Sequence, residues 1–519
     1  MSALDIDAVN ITSDQGPSFP GCNRASPRRS VSVRRSRSLT LLLLPLLCSG
    51  CTVGPKYKGP PEAAVFPAFT RAALVPTTVS ASGLAARWWE GLNDPLLTKV
   101  IDSALETSPN VKLAQARLRK ARFTVMERRA GLFPQGSASA LGGRTRAPTN
   151  ALGSLSGNSG SQGSGSKAAE INLFDVGFDA SWEVDLFGAT RRSVEGARAQ
   201  AQEEEERLAD AHVQLAAQVA QTYILLREAQ HRIELVTHSI ELEQHTLELT
   251  QLRRDAGTAS QGDIERLRVQ LMQTEASLLP LQAEQDQYLD ELATLSGLAP
   301  GSLDGELRPP KPVPLPPSSV AVGDPASLLR RRPDIRAAER ALAASNAQIG
   351  AAVAQYFPTV RLLGSVGFVS TDTSHLFDAG SLTALGLPIL SWNVLDFGRT
   401  RARVHEAEAG YDVALAQYQS LVLSALEDAE ISLSRYGRER DHVVKLAAAQ
   451  AAAARTAELT RNRQTSGTAS LIDVLDVERE RVQTEQDLAM AQAAMTNDFV
   501  SLQKALGLGW IPAKASGPG

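Results

Sequence analysis

The sequence predicts a mainly α-helical protein that carries a membrane β-barrel, and three observations lead there. The chain repeats itself at a fixed spacing, each repeat holds a long tract of helix formers, and before the first tract apolar and acidic residues alternate over 13 positions. Sliding the chain on itself by 210 residues lays Ser181-Trp182 on Ser391-Trp392 and Gly188 on Gly398. The same shift lays GTAS (Gly257, Thr258, Ala259, Ser260) on GTAS (Gly467, Thr468, Ala469, Ser470), Asp263 on Asp473, and Gly297-Leu298 on Gly507-Leu508. Upstream, Asn110 and Phe133-Pro134 fall on Asp334 and Phe357-Pro358 at a spacing of 224, so the first copy holds 14 extra residues. Their place is the Gly/Ser-rich stretch Ala140 to Lys167, read as a mobile loop.

Of the 519 residues 43% are hydrophobic and 21% charged, the range of a folded chain. A net charge of −4 gives no sign of nucleic-acid binding. The first 50 residues nevertheless hold six Arg and three Asp, a net of +3, which leaves −7 for the remainder. Arg28, Arg29, Arg34, Arg35 and Arg37 precede the apolar run Leu39 to Leu47, and Cys48-Ser49-Gly50-Cys51 follows. That order is a secretory signal peptide over residues 1–50, whose apolar run is too short for a spanning helix of roughly 20 residues. Residues 1–27 are an unusual preface to it, and Val31 or Val33 is the expected initiator. The site resembles a bacterial lipobox, with Cys51 lipidated as the mature N-terminus. Thr52, where Asp would favour inner-membrane retention, implies the outer membrane. The three cysteines are Cys22, Cys48 and Cys51, so a chain beginning at Cys51 has no thiol left for a disulfide or a metal. No cofactor is expected beyond the covalent lipid.

After a lipid-anchored segment (51–108), the first repeat spans 109–299. The Pro-rich stretch 300–330 reads as an extended linker, the second repeat spans 331–510, and 511–519 form a tail. In each repeat a Pro-free tract follows the Trp, from Trp182 to Leu279 and from Ile389 to Ile511, rich in Ala, Leu, Gln, Glu and Arg. Val219, Leu226, Ile233, Ile240 and Leu247 recur every seventh residue, as in a coiled-coil seam. A helix from Thr190 to Asp255 would be about 100 Å long. GTAS interrupts each tract: the glycine suits a helix C-terminus, and Ser260 or Ser470 with Asp263 or Asp473 suits a capping box. Each repeat thus holds an antiparallel helical hairpin with GTAS at its far tip.

From Phe174 to Leu186 the apolar residues Phe174, Val176, Phe178, Ala180, Trp182, Val184 and Leu186 alternate with Asp175, Gly177, Asp179, Ser181, Glu183 and Asp185. Period two means a β-strand with one apolar and one acidic face, and its length suits a membrane strand of about 9–11 residues plus an extension. Val360, Leu362, Val366 and Phe368 alternate likewise, Leu385, Leu387 and Ile389 more weakly, and Phe133 to Ala140 supplies the least regular strand. Four strands per protomer cannot close a barrel, and an open edge is not viable in hydrocarbon. Three copies would supply twelve strands, within the range of known barrels.

The residues resemble those of outer-membrane efflux channels of the TolC superfamily, in the OprM-like, NodT-type lipoprotein branch that works with resistance-nodulation-division (RND) pumps. The resemblance rests on CTVGPKY (Cys51 to Tyr57), RWWEGLNDPLL (Arg87 to Leu97), LLRRRPDIRAAERALAASNAQIGAAVAQYFP (Leu328 to Pro358), WEVDLFG, NVLDFGRTRA and GTASLIDVLDVER. It implies a homotrimer with a twelve-stranded barrel in the outer membrane, continued across the periplasm by a long α-helical barrel. It also implies an exit duct that docks, through its hairpin tips, to a periplasmic adaptor (membrane fusion) protein and so to an inner-membrane RND transporter. Related channels constrict on their last inner helix, which implies a gate at Ile472, Asp476 and Arg479, with Asp473 beside them. The first copy has Gly262, Arg266 and Val269 at the three matching positions. The acidic barrel face, Asp175, Asp179, Glu183 and Asp185, is expected to line the lumen and favour cations.

Other signals carry less. His231, His238 and His245 recur every seven residues, about 10.5 Å apart along a helix, too far to share one metal ion; they read as a polar flank of the seam. Glu203 to Glu206 is a solvated helix face. The tract ending in Lys167 lacks the glycine and the strand-to-helix setting of a phosphate loop. No catalytic constellation is present, which argues against an enzyme. An outer-membrane factor for type I protein secretion shares the fold and is the nearest alternative; a periplasmic adaptor lipoprotein has no use for alternating membrane strands.

Overall fold

Each long tract folds as two helices that meet at GTAS, because between that turn and the ends of the tract no proline interrupts the hydrogen-bond ladder. The computed structural model describes residues 52–61, 67–78, 86–148 and 168–510, all within one unit. The signal-peptide region, Cys51, the greater part of the Gly/Ser tract and the tail 511–519 lie outside the described residues. In chain order the elements are α1 (Pro95–Thr107), α2 (Pro109–Ala130), β1 (Gln135–Pro148), β2 (Ala168–Val184), α3 (Ala189–Asp255) and α4 (Gln261–Leu295). Then come α5 (Pro325–Arg331), α6 (Pro333–Ala354), β3 (Thr359–Ser370), β4 (Leu382–Ser391), α7 (Arg399–Thr465) and α8 (Leu471–Ala505). Helices α3 and α7 each have 67 residues, about 100 Å, and their return partners α4 and α8 each have 35.

Helix α4 runs beyond Leu279 and continues through Pro280 to Leu295. Proline removes one backbone donor there, but Leu281, Leu289 and Leu292 are buried, and Leu289 and Leu292 belong to the central core. Apolar packing along one face outweighs the lost bond.

The four long strands form an antiparallel sheet in the order β1-β2-β3-β4. Strand β1 does not give way to a loop at Ala140. It pairs with β2 from Gln135 opposite Ser181 to Pro148 opposite Ala168, so the first part of the expected loop is strand. Glycine and serine have little local preference, and the partner's hydrogen bonds decide. Strand β2 stops at Val184, so Leu186 and Asp185 lie beyond it. Pro388 is tolerated in β4 because that strand is an edge, with β3 as its partner.

The apolar core lies at mid-length of the helices, where α1, α3, α4, α6, α7, α8 and the 3-10 turn Trp88–Leu92 converge. Trp88 packs edge-on against Trp89 and Phe499. In the coiled-coil seam Val219 and Leu226 are fully buried, whereas Ile233, Ile240 and Leu247, nearer the tip, are half-buried. From Leu226 to the end of α3 the helix extends about 44 Å below this core.

The Pro-rich connection is extended between Arg308 and Asp324, but it is not extended throughout 300–330: Asp304–Leu307 is a helical turn, and from Pro325 the chain is helix α5, started by the Asp324–Ser327 capping box. Val320 and Ala321 pair in parallel with Thr77 and Thr78. Fully buried Arg227 of α3 donates through Nη1 to the carbonyls of Leu307 (3.0 Å) and Pro309 (2.9 Å), and through Nη2 to the Tyr223 hydroxyl (3.1 Å). Tyr223 donates to Asp94 at 2.6 Å, and Asp94 also caps α1 at the amides of Leu96 and Leu97. Replacing Arg227 with Ala removes the donor to the Pro309 carbonyl, leaves Leu307 to Gln230 alone and opens a cavity in the core, and should cost about 3 kcal/mol, measurable as a lowered denaturant midpoint.

On α8, burial and the neighbouring Glu439 push the Asp498 carboxyl up to about 6, with Arg435 opposing the shift. A raised folded-state pKa means that stability is fully present below the unfolded value of about 3.9 and is lost as pH rises through about 6. The Asp498→Asn variant should therefore match the parent near pH 3.5 and melt at higher temperature above pH 6, as read by circular dichroism across that window.

Candidate functional site: hairpin tips, sheet faces and the N-terminal strap

At the first tip α3 ends on Gly257, whose φ of 76° is the left-handed conformation that glycine adopts without strain. The Thr258 amide donates to the Arg253 carbonyl at 2.8 Å and the Gly257 amide to that of Arg254 at 2.7 Å. Helix α4 then starts at a capping box: the Asp263 amide donates to Ser260 Oγ, and the Ser260 amide to Asp263 Oδ2, both at 3.2 Å. The second tip repeats this with Gly467 at φ 75° and with the Ser470–Asp473 box, at 3.1 and 2.8 Å. Hydrogen bonds from Ser260 and Ser470 hold the carboxyls of Asp263 and Asp473 below the usual range. Gly257, Thr258 and Ser260 are exposed, as are Gly467, Thr468 and Ser470; Ala259 and Ala469 are half-buried.

Asp473 is thus engaged in the cap. Of the four gate candidates, Ile472, Asp476 and Arg479 lie at spacings of four and three, on one face of α8. Ile472 is exposed, and Arg479 Nη2 lies 3.5 Å from Asp476 Oδ1 with both side chains more than half exposed. In the first hairpin Arg266 lies 3.9 Å from Asp263 instead, and Val269 is exposed.

On the sheet, register decides which residues share a face. Phe174, Val176, Phe178, Trp182 and Val184 share theirs with Val360, Leu362, Val366 and Phe368. Asp175, Asp179 and Glu183 lie on the other face, where Ser139 donates to Asp179 at 3.0 Å and Arg361 stands 3.4 Å from Glu183. Asp185 departs from this row. Beyond the strand's end its carboxylate accepts from the backbone amides of Thr190 (3.2 Å) and Arg191 (2.9 Å), closing the first turn of α3. Leu385, Leu387 and Ile389 sit opposite Ser365, Leu363 and Arg361, on the acidic face. Strand β4 is apolar on both sides, so its periodicity cannot report its orientation; pairing with β3 does.

The segment after Cys51 is fixed where sheet meets helix. Thr52 lies against Gly188, between the end of β2 and the start of α3, and the Val53 amide donates to the Phe187 carbonyl at 3.2 Å. Buried Arg192 donates through Nε to the Val53 carbonyl and through Nη2 to that of Gly54, both at 3.1 Å. Asn346 Nδ2 reaches the Pro55 carbonyl and the Tyr57 hydroxyl reaches Glu339. None of these partners was legible in sequence, because each contact spans more than a hundred residues. His231 and His238 face solvent, paired loosely with Glu234 and Glu241 of their own helix.

Membrane-length strands with an exposed apolar face, mounted on helices about 100 Å long, define the protomer of an outer-membrane channel. Comparisons with known proteins agree. The model of the outer membrane efflux protein family matches residues 100–298 and again 325–508, and the chain belongs to that family. It is 31% identical to the solvent efflux pump outer membrane protein SrpC of Pseudomonas putida, covering 91% of this chain and 98% of that one. It is 28% identical to the outer membrane protein OprJ of Pseudomonas aeruginosa, covering 91% and 96%. Among solved structures the outer-membrane channel OprN is 33% identical, with a TM-score of 0.79 over 89% of this chain and all of that one. The protein is an efflux channel of the outer membrane.

At Gly54 φ is 87°, and a Cβ would lie 2.5 Å from the Gly350 Cα. Replacing Gly54 with Ala should cost about 1–3 kcal/mol and expose the segment 52–58 to limited proteolysis, with cleavage mapped by mass spectrometry.

Proposed function

We propose that three copies of this chain close one channel, the exit duct of a tripartite pump that moves small toxic or apolar molecules out of the cell. The observation that carries the reading is the open four-stranded sheet of membrane-length strands. Both edge strands present unpaired backbone groups that hydrocarbon cannot satisfy, and three such sheets make twelve strands, a closed barrel of ordinary size. The half-buried lower seam of α3 and the exposed Leu423, Val444 and Leu459 of α7 fit helices that continue the barrel below the membrane. The two copies arise from a duplicated unit, which the equal helix lengths support. Export of small molecules, rather than of protein, fits relatives such as SrpC, which is named for solvent efflux.

Cys51 carries the lipid. Its neighbour Thr52 lies at the junction of sheet and helix, the level of the inner leaflet, so an acyl chain there enters the membrane without stretching the chain. Asp175, Asp179 and Glu183 line the lumen and favour cations, while the face of Phe174, Phe178 and Trp182 meets lipid. The exposed GTAS turns, about 44 Å below the core, meet the tips of a periplasmic adaptor that links the duct to an inner-membrane RND transporter. Threefold symmetry brings Ile472, Asp476 and Arg479 together at the periplasmic end, where their contacts constrict the pore.

Asp476→Ala and Arg479→Ala should each raise single-channel conductance in planar bilayers. Parental conductance in both would remove these residues from the gate. A protein that runs as a monomer in mild detergent, under conditions that preserve its circular dichroism, would refute the trimeric duct itself.

A further inference from the structure

The buried face of α8 carries one charge near the tip. Leu475, Glu478 and Val482 are 6, 3 and 9% exposed and follow the three-then-four spacing of a helix seam. Glu478 therefore stands within an apolar row, between two cations. Arg481 Nε donates to its Oε2 at 2.8 Å, and the Arg461 guanidinium of α7 contacts its Oε1. Arg481 continues to Glu485 of its own helix at 2.9 Å. Among the described residues, Arg461 to Glu478 is the salt bridge that crosses from α7 to α8. Turning α8 about its axis, or sliding it by one residue, would part Glu478 from Arg461 and leave it with Arg481 of its own helix alone, which is unfavourable for a carboxylate in an apolar row. A paired polar group in an apolar seam fixes register in this way.

Asp476 lies two residues from Glu478, and at about 100° per residue the two point to nearly opposite sides of α8. The face that grips α7 and the face that carries Ile472, Asp476 and Arg479 therefore turn together. Other restraints at this level are few. Below the contact of Gln221 with Ser501, no side-chain hydrogen bond or salt bridge among the described residues joins α8 to α3 or α4. Instead Leu475, Glu478, Arg479 and Val482 border a cavity of about 310 Å³ with mixed polar and apolar walls, faced by Val236 and Ser239 of α3 and Gln273 of α4. The first hairpin has Arg268 in place of Glu478 and Gln251 in place of Arg461, and Arg268 pairs with Glu265 of its own helix. The cross-helix pair thus belongs to the hairpin that bears the gate candidates.

We infer that Glu478 is a positioning residue: its bridge to Arg461 sets the rotation of α8 and so aims Asp476 and Arg479. The inference rests on the reading of those two residues as the constriction. The test uses the full chain in planar bilayers. Conductance is compared among the parent, Asp476→Ala, Glu478→Gln and Arg461→Gln, the last removing the same bridge from its half-exposed partner. In parallel, Asp476→Cys is labelled with a charged thiosulfonate, alone and combined with Glu478→Gln or Arg461→Gln. Chains without the introduced cysteine serve as the reference.

Both bridge variants should raise conductance and change the labelling rate at position 476 by about 5-fold or more. If Asp476→Ala leaves conductance at the parental value while the bridge variants still change labelling, the gate reading falls and the positioning role stands. If labelling at 476 matches the parent in both bridge variants, the positioning role is overturned. A lowered melting temperature with unchanged labelling has the same consequence, since Glu478 then only stabilises the hairpin.

Discussion

A single buried guanidinium organises the middle of this protein. Arg227 sits in α3 at the level where seven helical segments and the Pro-rich strap meet, its cationic plane over the Tyr223 ring. Through Tyr223 it reaches the cap of α1, and through two carbonyls it holds the strap that joins the two copies of the unit. A helix of 67 residues has no compact domain of its own to hold it. Its stability depends on a waist where apolar side chains concentrate, and Arg227 sets where the strap crosses that waist. The sheet above and the tips below extend from this level.

The two hairpins share their frame and differ in their chemistry. Glycine in the left-handed conformation and a serine–aspartate capping box build both tips, because a turn between antiparallel helices admits few solutions. Helix α8 alone sets an exposed Asp476–Arg479 pair against a buried Glu478 on its other side. The two hairpins thus share backbone geometry and differ in the side chains a few residues beyond their tips. The sheet is under a stricter rule. Its two edges need partners in a lipid environment, so the same backbone chemistry that pairs β1 with β2 calls for further copies of the chain.

Much of this architecture is legible in sequence. The heptads of α3, the capping signals at both tips and the alternation of β2 each depend on residues close along the chain; α3 and both tips appear within a residue of their expected places, while β2 begins six residues before Phe174. Three features escape for a common reason. Strand β1 beyond Ala140, the continuation of α4 through Pro280 and the orientation of β4 are decided by partners distant in sequence. At the candidate site, Asp476 and Arg479 come from the family resemblance, and their three-residue spacing puts them on one face of α8, whereas Asp473 is taken by its cap and Asp185 by the start of α3.

The sequence by itself determines the local elements and their order, because hydrophobic period, helix propensity and turn chemistry act within a few residues. Tertiary structure decides what those elements touch. It places Thr52 beside Gly188, Arg227 against the strap, the apolar row of β4 on the acidic face, and Glu478 between two arginines. The physical reason is that hydrogen bonds and ion pairs have short reach, while the residues that form them here stand from 3 to nearly 300 positions apart. Only the folded chain, which brings these segments within bonding distance at the waist, at the sheet–helix junction and along the hairpins, makes their pairing definite.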